Sequence, residues 1–230
     1  GMLVLDEESV RGYDIVLSID IKLQLEVEKI IEEEVKKAKK EPNTQYFNRN
    51  MVVISDPNNG EILVMAAKQF IDSSDELKMY DYSSNISTTP IIVGSVIKGA
   101  SMTVGYKSGA IDIGTKMLDK CIKIMSTPEK CSWRSNLGVL DDINALRLSS
   151  NSYQFQTAIK VAKANYNYNR PLIVDESAFK TYRDIFSQYG LGVSTGIDLP
   201  IESTGYKGNS KVAGHLLDFS IGQYDTYTAL

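Results

Sequence analysis

Apolar and polar positions along the chain follow two periods in turn. From Asp20 to about Lys40, Leu23, Val27, Ile30, Ile31 and Val35 recur at the spacing of one helix face, and Asp20 stands ahead of them as an N-cap. Met51 to Ile54 then reads as a strand, Asp56-Pro57-Asn58-Asn59-Gly60 as a tight turn and Glu61 to Ala67 as the hairpin partner. Residues 70–90 are rich in Ser, Thr, Asp, Asn and Tyr without a period and read as an irregular surface loop. Helical signals resume near Gly94. Val96, Ile97, Ala100, Met102 and Val104 do not gather on one face, so this helix is expected to be buried on most sides, at the centre of the domain. Residues 112–140 look loop-rich, 141–164 helical with Ser149-Ser150-Asn151 as an interruption, and 176–190 helical with Gly190 as a C-cap. One hairpin among many helices predicts an α+β fold, a helical lobe packed on an antiparallel sheet.

At 230 residues and 43% hydrophobic content, the chain can bury a sizeable core in one large domain. The 25 basic residues against 29 acidic ones leave a net charge of -4, and the main basic cluster, Lys36, Lys37, Lys39 and Lys40, follows Glu32 to Glu34 by one turn. Those charges pair along a solvated helix face, which argues against nucleic acid as a partner. No apolar run approaches the ~18 residues that span a bilayer, and the start lacks a signal-peptide pattern. Gly1 before Met2 reads as a cloning scar, with residues 1–15 as scar and linker from an upstream region. Cys121 and Cys131, ten positions apart, leave a disulfide and two structural thiols both open, and two thiols alone make no metal site. No cofactor or metal is called for.

The candidate chemistry begins at Ser95-Val96-Ile97-Lys98, where a hydroxyl and an amine three residues apart fall one helical turn from each other. A buried Lys loses its proton more readily than a solvated one, so Lys98 can act as base toward Ser95. Gly94 leaves room at the helix start, where free N–H groups can stabilise an oxyanion. The spacing recurs at Ser177-Ala178-Phe179-Lys180, but in a polar amphipathic stretch read as an ordinary surface helix. Ser149-Ser150-Asn151 offers a Ser-x-Asn element 54 residues after Ser95, whereas Ser83-Ser84-Asn85 lies upstream and reads as a polar loop. His215, the single histidine, has no Ser or Asp at triad spacing, and Trp133 belongs to no stacking pattern.

Taken in order, these elements resemble the class B penicillin-binding transpeptidases over nearly all of the chain from Val16. Val16-Leu17-Ser18-Ile19-Asp20 with Leu23-Gln24 is similar to the family's entry to its first helix, and Asp56-Pro57 with Gly60-Glu61-Ile62-Leu63-Val64-Met65 to its first hairpin. Gly94-Ser95-Val96-Ile97-Lys98 resembles the nucleophile motif and Ser149-Ser150-Asn151-Ser152-Tyr153 the second motif. Tyr189-Gly190-Leu191-Gly192, Thr195-Gly196-Ile197-Asp198-Leu199-Pro200 with Glu202, and Ser220-Ile221-Gly222-Gln223 resemble the segments that follow. Val93 departs from the family, which commonly has Pro there. The third motif, Lys-Ser/Thr-Gly on a strand, is expected beyond Leu230, since Lys107-Ser108-Gly109 matches its letters only at a helix end, with Gly109 as a C-cap.

The resemblance implies a penicillin-binding/serine β-lactamase-like fold, incomplete at the C-terminus, with residues 16–230 as the N-terminal part of a single transpeptidase domain. It implies D,D-transpeptidation of peptidoglycan: Ser95 attacks the penultimate D-Ala carbonyl of a stem peptide, Lys98 is the base, Ser149 relays a proton to the leaving group, and Asn151 holds Lys98 and the substrate amide. β-Lactams would acylate the same serine. The implied setting is the extracytoplasmic face of the bacterial membrane, with an N-terminal anchor absent from this chain and a glycosyltransferase partner. The competing readings are a serine β-lactamase, for which no deacylating base is identifiable, and a non-catalytic β-lactam sensor or scaffold.

Overall fold

The computed structural model describes residues 11–72, 77–135 and 137–230, so the first ten residues of the expected linker lie outside it. The chain divides into two compact units, 1–83 and 84–230.

In the first unit, α1 (Ile21–Ala38) is capped by Asp20, whose carboxylate accepts from the N–H groups of Lys22 and Leu23. It lies on a three-stranded antiparallel sheet of β1 (Arg49–Ser55), β2 (Ile62–Asp72) and β3 (Leu77–Asp81), in that order. Ile31 and Val35 pack with Val64, Ala66 and Phe70. The buried stripe is narrower than the apolar spacing predicts, and Leu23 and Ile30 stay substantially exposed. Polar side chains on the sheet-facing side take part instead: Gln24 exchanges two hydrogen bonds with the backbone of Met65, and Glu28 pairs with Lys68 at 2.8 Å. The expected hairpin is present, closed by the Asp56–Gly60 turn, with Val52 opposite Ala66 and Ile54 opposite Val64. The expected loop over 70–90 is corrected in part: β2 runs on to Asp72 and β3 is a third strand, with Phe70 opposite Met79. Residues 73–76 of that stretch lie outside the described residues.

The second unit is helical. After a 3-10 turn (Gly94–Ile97), α2 (Lys98–Lys107) runs through its middle, flanked by α3 (Asp142–Arg147), α4 (Asn151–Val161) and α5 (Ser177–Phe186), while α6 (Ala213–Ser220) packs on α4 and α5 and accepts the Ser101 hydroxyl at the Ser220 carbonyl. Lys98, Ser101, Met102, Val104 and Gly105 are all buried, as a helix without a single apolar face predicts. Ile97 and Val104 join Phe155, Phe179, Phe186, Leu216 and Phe219 in the main core. At Gly105 a side chain is excluded, because a Cβ would fall 2.7 Å from the Thr157 methyl group. Two residue pairs, β4 (Met117–Leu118) and β5 (Val139–Leu140), are the only regular strands described in 112–140. The elements are α+β, as expected.

Candidate active site

Ser95 and Lys98 sit where the 3-10 turn becomes α2, so the hydroxyl and the amine are set by tight helical geometry rather than by a long helix. Ser95 is exposed, as is its neighbour Val96, and among the described residues the Ser95 hydroxyl has no hydrogen-bond partner. Lys98, by contrast, is only 2% exposed. Its Nζ donates to the Ser149 carbonyl at 2.8 Å, to Ser149 Oγ at 3.1 Å and to Asn151 Oδ1 at 2.6 Å. Burial pushes the ammonium down to about 8, against a smaller opposing pull from the Asp119 carboxylate. At that value about a tenth of the amine is neutral at pH 7, some hundreds of times more than for a solvated lysine.

The serine and the asparagine reach Lys98 because the chain breaks between α3 and α4. Ser149 takes the left-handed backbone conformation, φ 51°, and Ser150 follows in an extended one as the N-cap of α4. That corner turns the Ser149 carbonyl and hydroxyl toward Lys98, and Asn151 starts the next helix. A non-glycine residue at positive φ costs about 1–3 kcal/mol and persists only where its surroundings enforce it. Trp133 contributes here, with its indole N–H donating to the Leu148 carbonyl at 2.9 Å while the ring stays exposed.

On the other side of Ser95, Gly94 stands at φ 60° and donates its N–H to the Gly222 carbonyl at 2.9 Å. Gly222 is also left-handed, and a Cβ there would lie 2.3 Å from the Gly94 carbonyl oxygen. Gly94 thus seats the Ile221-Gly222-Gln223 segment against the helix start, and its own N–H is engaged.

The remaining sequence candidates fall elsewhere. Ser177 and Lys180 lie on the exposed face of α5, where Lys180 pairs with Asp184, and its buried face carries Phe179 and Phe186. Lys107, Ser108 and Gly109 finish α2, with Gly109 at φ 69°. Ser83 to Asn85 form a short 3-10 turn, and His215 stacks on Tyr224 at 4.9 Å between ring centroids. Cys121 and Cys131 form a disulfide with their Cα atoms 4.3 Å apart. Glu129 approaches both sulfurs, but bonded to each other they offer no thiolate to a metal. Asp119 and Ser132, beside this bridge, carry no motif and were not candidates from the sequence, yet both reach the start of α4.

Residues 50–230 match the family model described as the penicillin-binding protein transpeptidase domain. The chain belongs to that family. Among its relatives, penicillin-binding protein 2A of Bacillus subtilis is 49% identical over 224 residues, covering 97% of this chain and 31% of that protein. Penicillin-binding protein H of the same organism is 42% identical, covering 96% of this chain and 31% of that protein. The chain therefore spans about a third of the length of the curated relatives it matches. Of the solved structures, penicillin-binding protein 2B from Streptococcus pneumoniae superposes with a TM-score of 0.85 at 29% identity, over 96% of this chain and 37% of that one. The fold is that of the penicillin-binding transpeptidases.

Proposed function

We propose that the protein is a peptidoglycan D,D-transpeptidase that works by serine acyl transfer, with Ser95 as nucleophile, Lys98 as base, Ser149 as proton relay and Asn151 as the group that holds Lys98 and the substrate amide. The observation that carries this reading is the buried Lys98 amine bound to Ser149 and Asn151, one turn from an exposed serine, in a chain of this family. The Ser95 oxygen adds to the carbonyl carbon of the penultimate D-Ala as its proton passes to the neutral Lys98 amine. The C–N bond then breaks, and the departing D-Ala amine takes up a proton through the Ser149 hydroxyl. An amine on a neighbouring stem peptide attacks the resulting ester and restores the Ser95 hydroxyl. A β-lactam enters the same sequence as far as the ester.

On this reading residues 16–230 are the N-terminal part of one transpeptidase domain, its substrates are peptidoglycan stem peptides, and it acts outside the cytoplasm. Among the described residues no helix is long and apolar enough to cross a membrane. A membrane anchor and a glycosyltransferase partner belong to the proposal. Labelled penicillin with the full-length protein, followed by peptide mapping, tests it. The expected adduct is on Ser95 and is lost in Ser95→Ala. An adduct on Ser177, or on no serine, overturns the assignment. Turnover of a D-Ala-D-Ala thioester separates an enzyme from a sensor that acylates once.

A further inference from the structure

One carboxylate behind Ser149-Ser150-Asn151 lies outside the motifs singled out in the sequence. Asp119, the residue after β4, accepts two hydroxyl protons on the same oxygen, Oδ2, from Ser150 at 2.5 Å and from Ser132 at 2.7 Å. Those two hydroxyls cap α4. Ser150 Oγ accepts from the Tyr153 N–H at 3.0 Å, and Ser132 Oγ accepts from the N–H groups of Asn151 at 3.0 Å and Ser152 at 3.2 Å. The first three orphan donors of the helix are thereby satisfied by two side chains. A serine hydroxyl has one proton, and with that proton committed to Asp119 only lone pairs remain to face the helix. The carboxylate therefore fixes the polarity of both caps. Asn151 is the first residue of that helix, and its amide joins Lys98 at one end and the Cys131 carbonyl, next to Ser132, at the other.

We infer that Asp119 is a positioning residue of this site: through Ser132 and Ser150 it fixes the start of α4 so that Ser149 and Asn151 meet Lys98, and it lends its negative charge to the Lys98 ammonium. The inference rests on the reading of Ser95 and Lys98 given above. The atoms facing the Lys98 amine are the neutral acceptors of Ser149 and Asn151, and the charge acting on it is that of Asp119. Asp142, another acid packed on α2, is engaged by Tyr106 and by the N–H groups of Gly114 and Ile143.

Removing the charge and removing the caps have separable effects. In Asp119→Asn an amide oxygen can still accept both hydroxyl protons, but the pull toward the ammonium is gone. In Asp119→Ala both are lost, and Ser132→Ala removes one cap while leaving the charge. The test is stopped-flow acylation of the full-length protein by a fluorescent penicillin across neutral and alkaline pH, with thermal unfolding of each variant. Asp119→Ala should lower the plateau rate by about tenfold or more through misplacement of Asn151. Asp119→Asn should lose less of the plateau, while the limb on which the rate rises with pH moves toward acid. Ser132→Ala should lower the plateau and leave the limb in place. A merely structural role would lower stability and plateau together without moving the limb in Asp119→Asn, and that result would overturn the inference. Should the Asp119 variants not fold, a Ser132→Ala plateau equal to wild type overturns it as well. Wild-type protein that never acylates on Ser95 sinks the reading of the site, whereas wild type that acylates and is matched by all three variants sinks this inference alone.

Discussion

Lys98 combines near-complete burial with three acceptors around one amine. Burial disfavours the ammonium and prevails over the opposing pull of the Asp119 carboxylate, bringing the group down to about 8, while the acceptors of Ser149 and Asn151 fix where the amine sits. Since only the neutral amine can take the Ser95 proton, the acylation rate should rise with pH and level off above about 8. A rate flat across that range would remove Lys98 from the role of base. Lys98→Ala should lower acylation by roughly 10²–10⁴, the usual worth of a general base. Lys107→Ala should change little, because Lys107 reaches the exposed Gln188 side chain at the far end of α2. Measuring both with the same penicillin checks the pair, and a larger loss at Lys107 would reverse the choice between the two lysines.

At the scale of elements, the 3-10 turn that carries Ser95 is held between two corners, the left-handed Ser149 on one side and the left-handed Gly222 on the other. Gly222→Ala drives a methyl group into the Gly94 backbone, so it should lower stability by about 3 kcal/mol or more and slow acylation with it. Gly109→Ala has the same positive φ but open space around it and should cost only about 1 kcal/mol. Urea unfolding of the two variants isolates the clash, and equal losses would show that backbone strain alone is at work. Ser95, Lys98, Ser149 and Asn151 were legible in the sequence only together, through their spacing and the order in which the motifs follow one another. The contact of Gly222 with Gly94 was not readable, since 128 positions separate them and no period links them. Asp119 and Ser132 escaped notice for a similar reason: each is an ordinary polar residue in a loop-rich stretch, and only the fold gives them a common helix end. Strand β3 was missed because five residues with Leu77 and Met79 half-buried and Lys78 and Tyr80 exposed give too short an alternation to stand out from a polar loop.

At the scale of the whole molecule, the second unit closes on itself through long-range ties. Arg183 on α5 grips the buried Asp225 with two hydrogen bonds of 2.8 and 2.9 Å, anchoring the segment that carries Gly222. Tyr227 exchanges backbone hydrogen bonds with Ile91 just ahead of the 3-10 turn that carries Ser95. The disulfide is the covalent member of this set. Cys131→Ser should lower stability by about 2–3 kcal/mol in denaturant unfolding, and an unchanged midpoint would show that the bridge constrains nothing. The bridge joins the strand end that supplies Asp119 to the residue before Ser132, so it also ties the quality of the site to the chain's history. A copy that folds among reducing thiols keeps two separate cysteines and a Ser132 held by hydrogen bonds alone, whereas one that folds in an oxidising setting acquires the brace. Competence toward penicillin would then ripen with the compartment rather than with translation. Freshly made protein held under reductant should label slowly, and should quicken once an oxidant closes the ring.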